Sequence, residues 1–254
     1  MNRNIKLTIA YDGTDFCGWQ RQENNRSVQE EIEKALEKIH SHPVNLAGSG
    51  RTDSGVHAAG QAANFFTDIG SMEAGRFVPA LNSLLPRDVR ILDACEEQDN
   101  FHARFSARMR TYRYQFVFCC GATNPAMPHE SRYHLPLHRY PRIGILNAYG
   151  RLLSGETDCT IFAGAGDNAL TEDKSKNRYI YRAYFYIDRN TLVFEICANA
   201  FLRNMVRSVA GTFLHYEETL TPPEKLREII ASGERSLAGP TLPPRGLFLW
   251  KVEY

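Results

Sequence analysis

Segments with the periodicity of β-strands alternate with segments with the periodicity of α-helices along the whole chain. Near the N-terminus, Ile5, Leu7 and Ile9 alternate with polar residues, which is the pattern of a half-buried strand. Residues 27–41 instead carry apolar side chains at helical spacing, and they begin with Ser27 and Glu30, a capping-box pair. Both kinds of segment occur in each half of the chain, so the fold must combine sheets with helices.

The alternation continues to the C-terminus. Four further strands are predicted from QAANFF, VRILDACEE, RTYRYQFVF and LFLWKVEY, and a hairpin joined at Arg189–Asn190 is predicted from RYIYRAYFYID and TLVFEICAN. Helices are predicted from MEAGRFVPALNSLL and RIGILNAYGRLLSG, and over residues 201–216, where Arg203 and Arg207 flank an apolar stripe. We expect two domains, residues 1–106 and 107–254, and a polar surface loop over residues 163–176.

Composition limits the class of protein. An apolar fraction of 43% and a charged fraction of 23% are ordinary for a soluble globular chain. No apolar run approaches the roughly 20 residues that cross a bilayer, and the N-terminus reads as a strand where a signal peptide would have an apolar core. The six cysteines form no Cys-x-x-Cys pair and the eight histidines are scattered. We therefore expect reduced thiols, a cytoplasmic location and no metal site.

The distribution of charge is more informative than its sum. The net charge is only +1, yet residues 101–142 hold seven arginines and a single acid, Glu130. The arginines in this segment are Arg104, Arg108, Arg110, Arg113, Arg132, Arg139 and Arg142. An arginine-rich segment on a neutral chain is typical of a local anionic partner, most often a nucleic acid, but it also fits a solvated basic face.

The loop GSGRTDSGVHAAGQ, at residues 48–61, combines small residues with a central charged pair. Its glycine spacing fits neither a P-loop nor the dinucleotide fingerprint, so a nucleotide cofactor is not expected. Asp53 can be read as a turn residue, because aspartate and glycine are common in turns. It can also be read as a catalytic carboxylate, with Arg51 beside it to balance its charge.

The motifs of this chain resemble those of the tRNA pseudouridine synthase A family. RTDSGVHA resembles the signature of that family. The segments YDGTDFCGWQRQ, NFHARFSARMRTYRY, FLRNMVRSVAGTFL and LPPRGLFLWKVEY resemble further family segments in the same order. Together they span nearly the whole chain. The resemblance implies an isomerase that converts uridine to pseudouridine in RNA and needs no cofactor.

The resemblance also implies roles for individual residues. Asp53 matches the catalytic aspartate, Tyr112 the tyrosine that stacks on the target base, and Arg207 the basic residue that pairs with the aspartate. Arg203 is an alternative to Arg207, one helical turn away. Arg51 matches an arginine thought to displace or replace the flipped nucleotide. From the residues alone, a cross-strand core aromatic is the favoured interpretation of Tyr112.

The family fold is α+β, with two related domains whose mainly antiparallel sheets are joined across a central catalytic cleft. The resemblance implies a homodimer that acts on uridines 38, 39 and 40 of the tRNA anticodon stem-loop. Arg104, Arg108, Arg110 and Arg113 are then the candidates for phosphate contacts. Two alternatives stay open, which are the same chemistry on another RNA such as ribosomal RNA, and a non-catalytic RNA-binding module.

Overall fold

A computed structural model describes residues 2–119, 130–164 and 175–254. The chain forms two compact units, one of Met1–Arg108 with Phe248–Tyr254 and one of Met109–Leu247. The last strand, which the sequence placed in the second half, therefore belongs mostly to the first unit. Most of the surface loop predicted over residues 163–176, together with Cys120, lies outside the described residues.

The first unit is a sheet with two helices. Its strands follow the order β4-β1-β3-β10, with the short strand β2 paired to β3. All of these pairs are antiparallel except β3 with β10, in which Phe248 lies opposite His57. The elements are β1 (Arg3–Tyr11), α1 (Val28–His40), β2 (Ala47–Gly48), β3 (His57–Thr67), α2 (Phe77–Leu84), β4 (Val89–Glu97) and β10 (Leu247–Glu253).

Helix α1 lies where its periodicity predicts, but its capping box does not form. Val28 and Ile32 are fully buried, as the apolar stripe requires. Within the described residues the Ser27 hydroxyl has no hydrogen-bond partner, and Glu30 pairs with Lys34 instead. The physical reason lies in the preceding segment, because the Trp19 carbonyl already accepts the Gln29 N–H at 3.0 Å. That N–H is one of the donors a capping side chain would bind.

The second unit is also a mainly antiparallel sheet with helices. Its strands follow the order β5-β9-β8-β7, with β6 paired in parallel to β5. The elements are β5 (Met109–Phe118), α3 (Glu130–Tyr133), β6 (Leu135–Leu137), α4 (Ile143–Leu153), β7 (Gly155–Asp158), β8 (Asn177–Asp188), β9 (Thr191–Ala198), α5 (Met205–Glu218) and α6 (Lys225–Ser232). The predicted hairpin is confirmed, since Asp188 lies opposite Thr191 across the two-residue turn. The α+β class with mainly antiparallel sheets is likewise confirmed.

The late amphipathic helix starts four residues after the predicted position. Asn204 adopts a left-handed φ of 61°, and α5 begins at Met205. The predicted stripe still packs inward, with Val209 and Phe213 fully buried. Arg203 therefore lies in the turn before the helix, so the expectation that it flanks the same helix face as Arg207 is wrong. A left-handed residue between them breaks the helical spacing on which that expectation depended.

Candidate active site

The loop that carries Asp53 runs from the end of β2 to the start of β3. Asp53 is half-buried, between the buried Thr52 and the exposed Ser54. The entrance of the loop is fixed by Gln61, whose side-chain carbonyl accepts the Ser49 hydroxyl at 2.6 Å. The Gln61 amide group also donates to the Gly50 carbonyl at 2.9 Å. Hydrogen bonds with Gln61 thus hold the loop at Ser49 and Gly50, a few residues before Asp53 in the chain.

The segment between Tyr11 and Gln20 clamps this loop on both sides of Asp53. Before the aspartate, the Trp19 N–H donates to the Thr52 carbonyl at 3.2 Å, and the Tyr11 hydroxyl bonds the Thr52 hydroxyl at 2.8 Å. After it, the Gly55 N–H donates to the Phe16 carbonyl at 3.2 Å. Hydrogen bonds on both sides hold the backbone that carries the Asp53 side chain. They leave the carboxylate half-exposed.

Two glycines permit the close approach of clamp and loop. A Cβ atom on Gly13 would lie 2.0 Å from the Val56 carbonyl oxygen. Gly18 has a φ of +98°, and a Cβ there would lie 2.5 Å from the Thr52 carbonyl oxygen. Any other residue at either position would push the two segments apart. The glycines of the N-terminal segment therefore serve the Asp53 loop.

His57 joins the clamp to the start of β3. It is fully buried, its ring stacks on Phe248 with centroids 4.7 Å apart, and its Nδ1 accepts the Gly13 N–H at 3.0 Å. Asp12 lies 3.2 Å from the same ring nitrogen and accepts both the N–H and the hydroxyl of Thr14. Sequence reasoning missed this part of the site, because its contacts join segments more than 40 residues apart and no local motif predicts them.

Arg51 lies two residues before Asp53 on the loop and contacts the Gln20 end of the clamp. Its side chain is exposed, and its Nε donates to the Gln20 side-chain carbonyl at 3.2 Å. A guanidinium in this position is held by one contact and is still accessible to solvent. Its role with the flipped nucleotide remains a prediction.

Tyr112 lies on β5 in the second unit, opposite Ile196 of β9. Only 8% of its surface is exposed, and the Phe201 ring meets it edge-on at 5.0 Å. Tyr114, two residues on and on the same face, is fully buried and donates its hydroxyl to the Pro243 carbonyl. Burial raises the pKa of Tyr114 strongly, although the Arg207 charge opposes the shift. Tyr114 thus belongs to the core.

Arg207 lies on α5 and is half-buried. Its Nε donates to the Leu242 carbonyl at 2.6 Å, and its Nη1 donates to the Asn204 side-chain carbonyl at 2.6 Å. These bonds fix the plane of the guanidinium. Arg203 differs, because its side chain is exposed while its carbonyl accepts the Gly164 N–H at 2.9 Å. Asp53 and Arg207 lie in different units, and their pairing remains a prediction.

The four arginines predicted to contact phosphate lie in different settings. Arg104 and Arg108 are exposed in the first unit. Arg110 and Arg113 are on β5, and a separation of three places them on opposite faces of the strand. Arg110 shares the Tyr112 face and donates to the Asn199 carbonyl at 2.7 Å. Other arginines of the same segment have structural partners, since Arg139 and Arg142 both bond the buried carboxylate Glu217.

Arg113 contributes to an ion-pair network that joins three strands. Its Nε donates to Glu195 on β9 at 2.8 Å, and Arg182 and Tyr184 on β8 bond the other carboxylate oxygen. Burial alone would raise the pKa of Glu195, but the hydrogen bonds from Arg113 and Tyr184 outweigh it and lower the pKa below its ordinary value. The network was not anticipated, because nothing in the sequence pairs residue 113 with residue 195.

The described residues contain neither a metal cluster nor a membrane-spanning helix. Among them, no cluster of three or more His, Cys, Asp or Glu side chains is arranged to hold a metal ion. No helix in the described ranges is both long and apolar enough to cross a membrane.

Comparison with known proteins gives consistent matches. A family model described as tRNA pseudouridine synthase matches residues 7–106 and 151–254. A tRNA pseudouridine synthase A of Treponema denticola is 54% identical, over 99% of this chain and 93% of its own length. Enzymes of the same name from Treponema pallidum and Caldicellulosiruptor saccharolyticus are 49% and 42% identical, over 94% and 99% of this chain and 84% and 100% of their own lengths. The matched ranges include Asp53 and Arg207.

Proposed function

The chain belongs to the tRNA pseudouridine synthase family, and we propose that Asp53 is the carboxylate with which it isomerises uridine to pseudouridine in tRNA. In this reaction the glycosidic C–N bond breaks, the uracil turns, and its C5 joins the sugar through a C–C bond. No group is gained or lost overall, so the enzyme is an isomerase. The relatives named tRNA pseudouridine synthase A support both the reaction and the substrate class.

The observation that carries the assignment is the setting of Asp53. A half-buried carboxylate, on a loop bonded on both sides, can reach a substrate with little rearrangement. An ionised carboxylate can act as a nucleophile or as a base, and it needs neither metal nor cofactor for either role. The target uridine must leave its stack to reach such a group, which costs a few kcal/mol.

Tyr112 and Arg207 are assigned supporting roles. Arg207 has a guanidinium already oriented by Leu242 and Asn204, so it can supply positive charge to the catalytic carboxylate without first being ordered. Tyr112 is assigned to stack on the uracil, a role for which its ring is held edge-on by Phe201 with 8% of the residue's surface exposed. Arg51, exposed on the Asp53 loop, is assigned to the displaced nucleotide.

The finer features of the substrate are proposals as well. We assign the anticodon stem-loop of tRNA, with uridines 38, 39 and 40 as targets, and a cytoplasmic homodimer as the working form. Phosphate contacts are assigned to Arg104, Arg108, Arg110, Arg113 and Arg203. The ion pair of Arg113 with Glu195 leaves that residue less available than the exposed arginines. Each arginine that does reach a phosphate contributes to a salt-dependent affinity.

The test is release of tritium from tRNA labelled at C5 of uracil. Asp53→Asn removes the charge and nearly preserves the volume, so we expect at least a 10³-fold loss of release, as an order of magnitude, with tRNA binding retained. Asp93→Asn is the matched control, because Asp93 is an exposed aspartate of the same unit that lies on β4, outside the clamp and the Asp53 loop. Equal release by the wild type and Asp53→Asn would refute the role of Asp53.

The target is tested by mapping pseudouridine in all cellular RNA with and without the gene. Loss of pseudouridine at positions 38, 39 and 40 of tRNA is the expected result. Loss confined to ribosomal RNA would retain the chemistry and reject the substrate. An unchanged map would favour a non-catalytic RNA-binding protein.

A further inference from the structure

Phe105 is the most exposed large hydrophobic side chain in the described part of the chain, with 77% of its surface accessible. Single exposed apolar residues are common and need no explanation by themselves. The setting of Phe105 is less usual, because the turn that carries it is held in place from several directions. The contacts of that turn show that the ring is presented outward from a fixed backbone.

The turn is anchored to the first unit through Ala103. This residue is fully buried, and its N–H donates to the side-chain carbonyl of Asn64 at 2.8 Å. Its carbonyl accepts the Tyr254 hydroxyl at 3.0 Å. The Ala103 N–H is therefore bonded to a side chain of β3, and the Ala103 carbonyl to the side chain of the residue that follows β10. The position of the turn does not depend on Phe105 itself.

The turn is also closed internally. The Ser106 N–H donates to the His102 carbonyl at 2.9 Å, and the His102 N–H donates to the Ser106 hydroxyl at 3.1 Å. The Arg104 N–H donates to the His102 ring at 3.1 Å. Because these bonds fix the backbone, little conformational entropy remains to be lost when a ligand meets the Phe105 ring.

The ring has one polar and one aromatic neighbour. The His102 ring lies 4.5 Å from that of Phe105, centroid to centroid, and the Arg104 guanidinium carbon lies 5.6 Å from the Phe105 centroid. Arg104 and Arg108 are both exposed, and no acidic residue occurs from Asn100 to Phe118. An exposed ring with the Arg104 guanidinium beside it, and a second exposed arginine three residues on, favours a ligand that combines a flat apolar face with negative charge.

We propose that Phe105 is a stacking platform for an unpaired base of the RNA substrate, with Arg104 and Arg108 contacting the adjoining phosphates. The inference rests on the proposed RNA substrate and adds a contact outside the Asp53 loop. An aromatic ring flanked by arginines is a general means of binding unpaired nucleotides. A second copy of the chain fits less well, because protein interfaces bury contiguous apolar surface and Phe105 is flanked by charges.

The experiment measures the affinity for an unmodified tRNA transcript in an Asp53→Asn background, so that no turnover occurs. Loss of one stacked base should weaken binding by about 5- to 150-fold in Phe105→Ala. Phe105→Leu should be nearly as weak, since it keeps an apolar side chain and loses the aromatic face. Phe105→Tyr should bind tRNA almost as tightly as the Asp53→Asn protein that keeps Phe105, because tyrosine retains the aromatic face. Leu92→Ala is the control, because Leu92 is 54% exposed in the same unit.

Three results would overturn the platform. These are unchanged affinity in Phe105→Ala, full affinity in Phe105→Leu, and a change of oligomeric state in Phe105→Ala by analytical ultracentrifugation. The exposed ring leaves folding unaffected, so thermal unfolding of all variants should coincide.

The two proposals can fail separately. A wild type that binds tRNA and forms no pseudouridine refutes the function alone, whereas one that forms pseudouridine while Phe105→Ala binds normally refutes the platform alone.

Discussion

At the scale of single residues, the Asp53 loop depends on two glycines, Gly13 and Gly18, because neither has a side chain. Gly13 and Gly18 let the N-terminal segment approach the loop backbone within van der Waals distance. The resulting hydrogen bonds hold residues on both sides of Asp53, so a change at either glycine should move a carboxylate that the glycine does not touch.

Gly13→Ala tests this dependence. The added Cβ would lie 2.0 Å from the Val56 carbonyl oxygen, which forces the backbone to shift. We expect a loss of roughly 1–3 kcal/mol in the free energy of unfolding and a lower rate of tritium release. Gly70→Ala is the control, because nothing lies within 4 Å of its Cβ position. Urea unfolding and single-turnover kinetics measure the two effects, and wild-type behaviour in Gly13→Ala would contradict the clamp.

The candidate catalytic residue was easier to single out in the sequence than the residues that position it. Asp53 stands out because a charged pair interrupts a run of small residues. His57 was visible in the same motif, but its bond to the Gly13 N–H is a contact across 44 positions that no periodicity reveals. Arg203 was misplaced on a helix, because apolar spacing continued through a turn that Asn204 makes with a positive φ.

At the scale of elements, the Glu195 carboxylate connects β5, β8 and β9. Glu195 lies on the middle strand with 2% of its surface exposed, and it accepts bonds from Arg113, Arg182 and Tyr184. A buried carboxylate would oppose folding without these partners. With them, the three strands share one charged centre on the sheet face opposite Tyr112.

The network makes stability depend on pH. The folded-state pKa of Glu195 lies below its ordinary value of 4.5, so its contribution is fully present above that value and is lost as the pH falls through the folded-state pKa. Glu195→Gln should cost roughly 1–3 kcal/mol at pH 7 and should lose less stability than the wild type on acidification. Urea unfolding at pH 7 and pH 4 measures both quantities. The control is Glu228→Gln on α6.

The predicted boundaries of an element match the structure where no tertiary contact opposes the local sequence pattern. β1, β5 and the β8–β9 hairpin match their predicted positions because alternation and turn residues agree there. The capping box of α1 failed for a reason that local sequence cannot contain. The Trp19 carbonyl comes from outside the helix and takes the N–H of Gln29. Tertiary contacts outweighed a correct local signal at that position.

At the scale of the whole molecule, the chain returns at its end to the unit in which it began. Strand β10 pairs in parallel with β3, and Phe248 of that strand stacks on His57 near the Asp53 loop. The sequence identified β10 as a strand without indicating its partner, because strands that pair in parallel can be far apart in the chain. The C-terminal strand is thereby joined to the clamp around the candidate catalytic residue.

The whole-molecule charge leads to the last prediction. A protein with a net charge of +1 gains little attraction for RNA from its overall field, so phosphate binding must come from local arginines. Replacing both Arg104 and Arg108 by Gln should lower the slope of log Kd against log salt for tRNA by roughly 1.5, because each lost phosphate contact removes about 0.7–0.9.

The matched control for that experiment replaces Arg151 on α4 and Arg227 on α6 by Gln. Both arginines are exposed, and the double replacement changes the net charge by the same amount. Its slope should stay close to that of the wild type. Equal losses in the two double variants would mean that total charge governs binding. A loss confined to Arg104 and Arg108 would place the RNA path beside the Phe105 turn, because Arg104 belongs to that turn and Arg108 follows it by two residues.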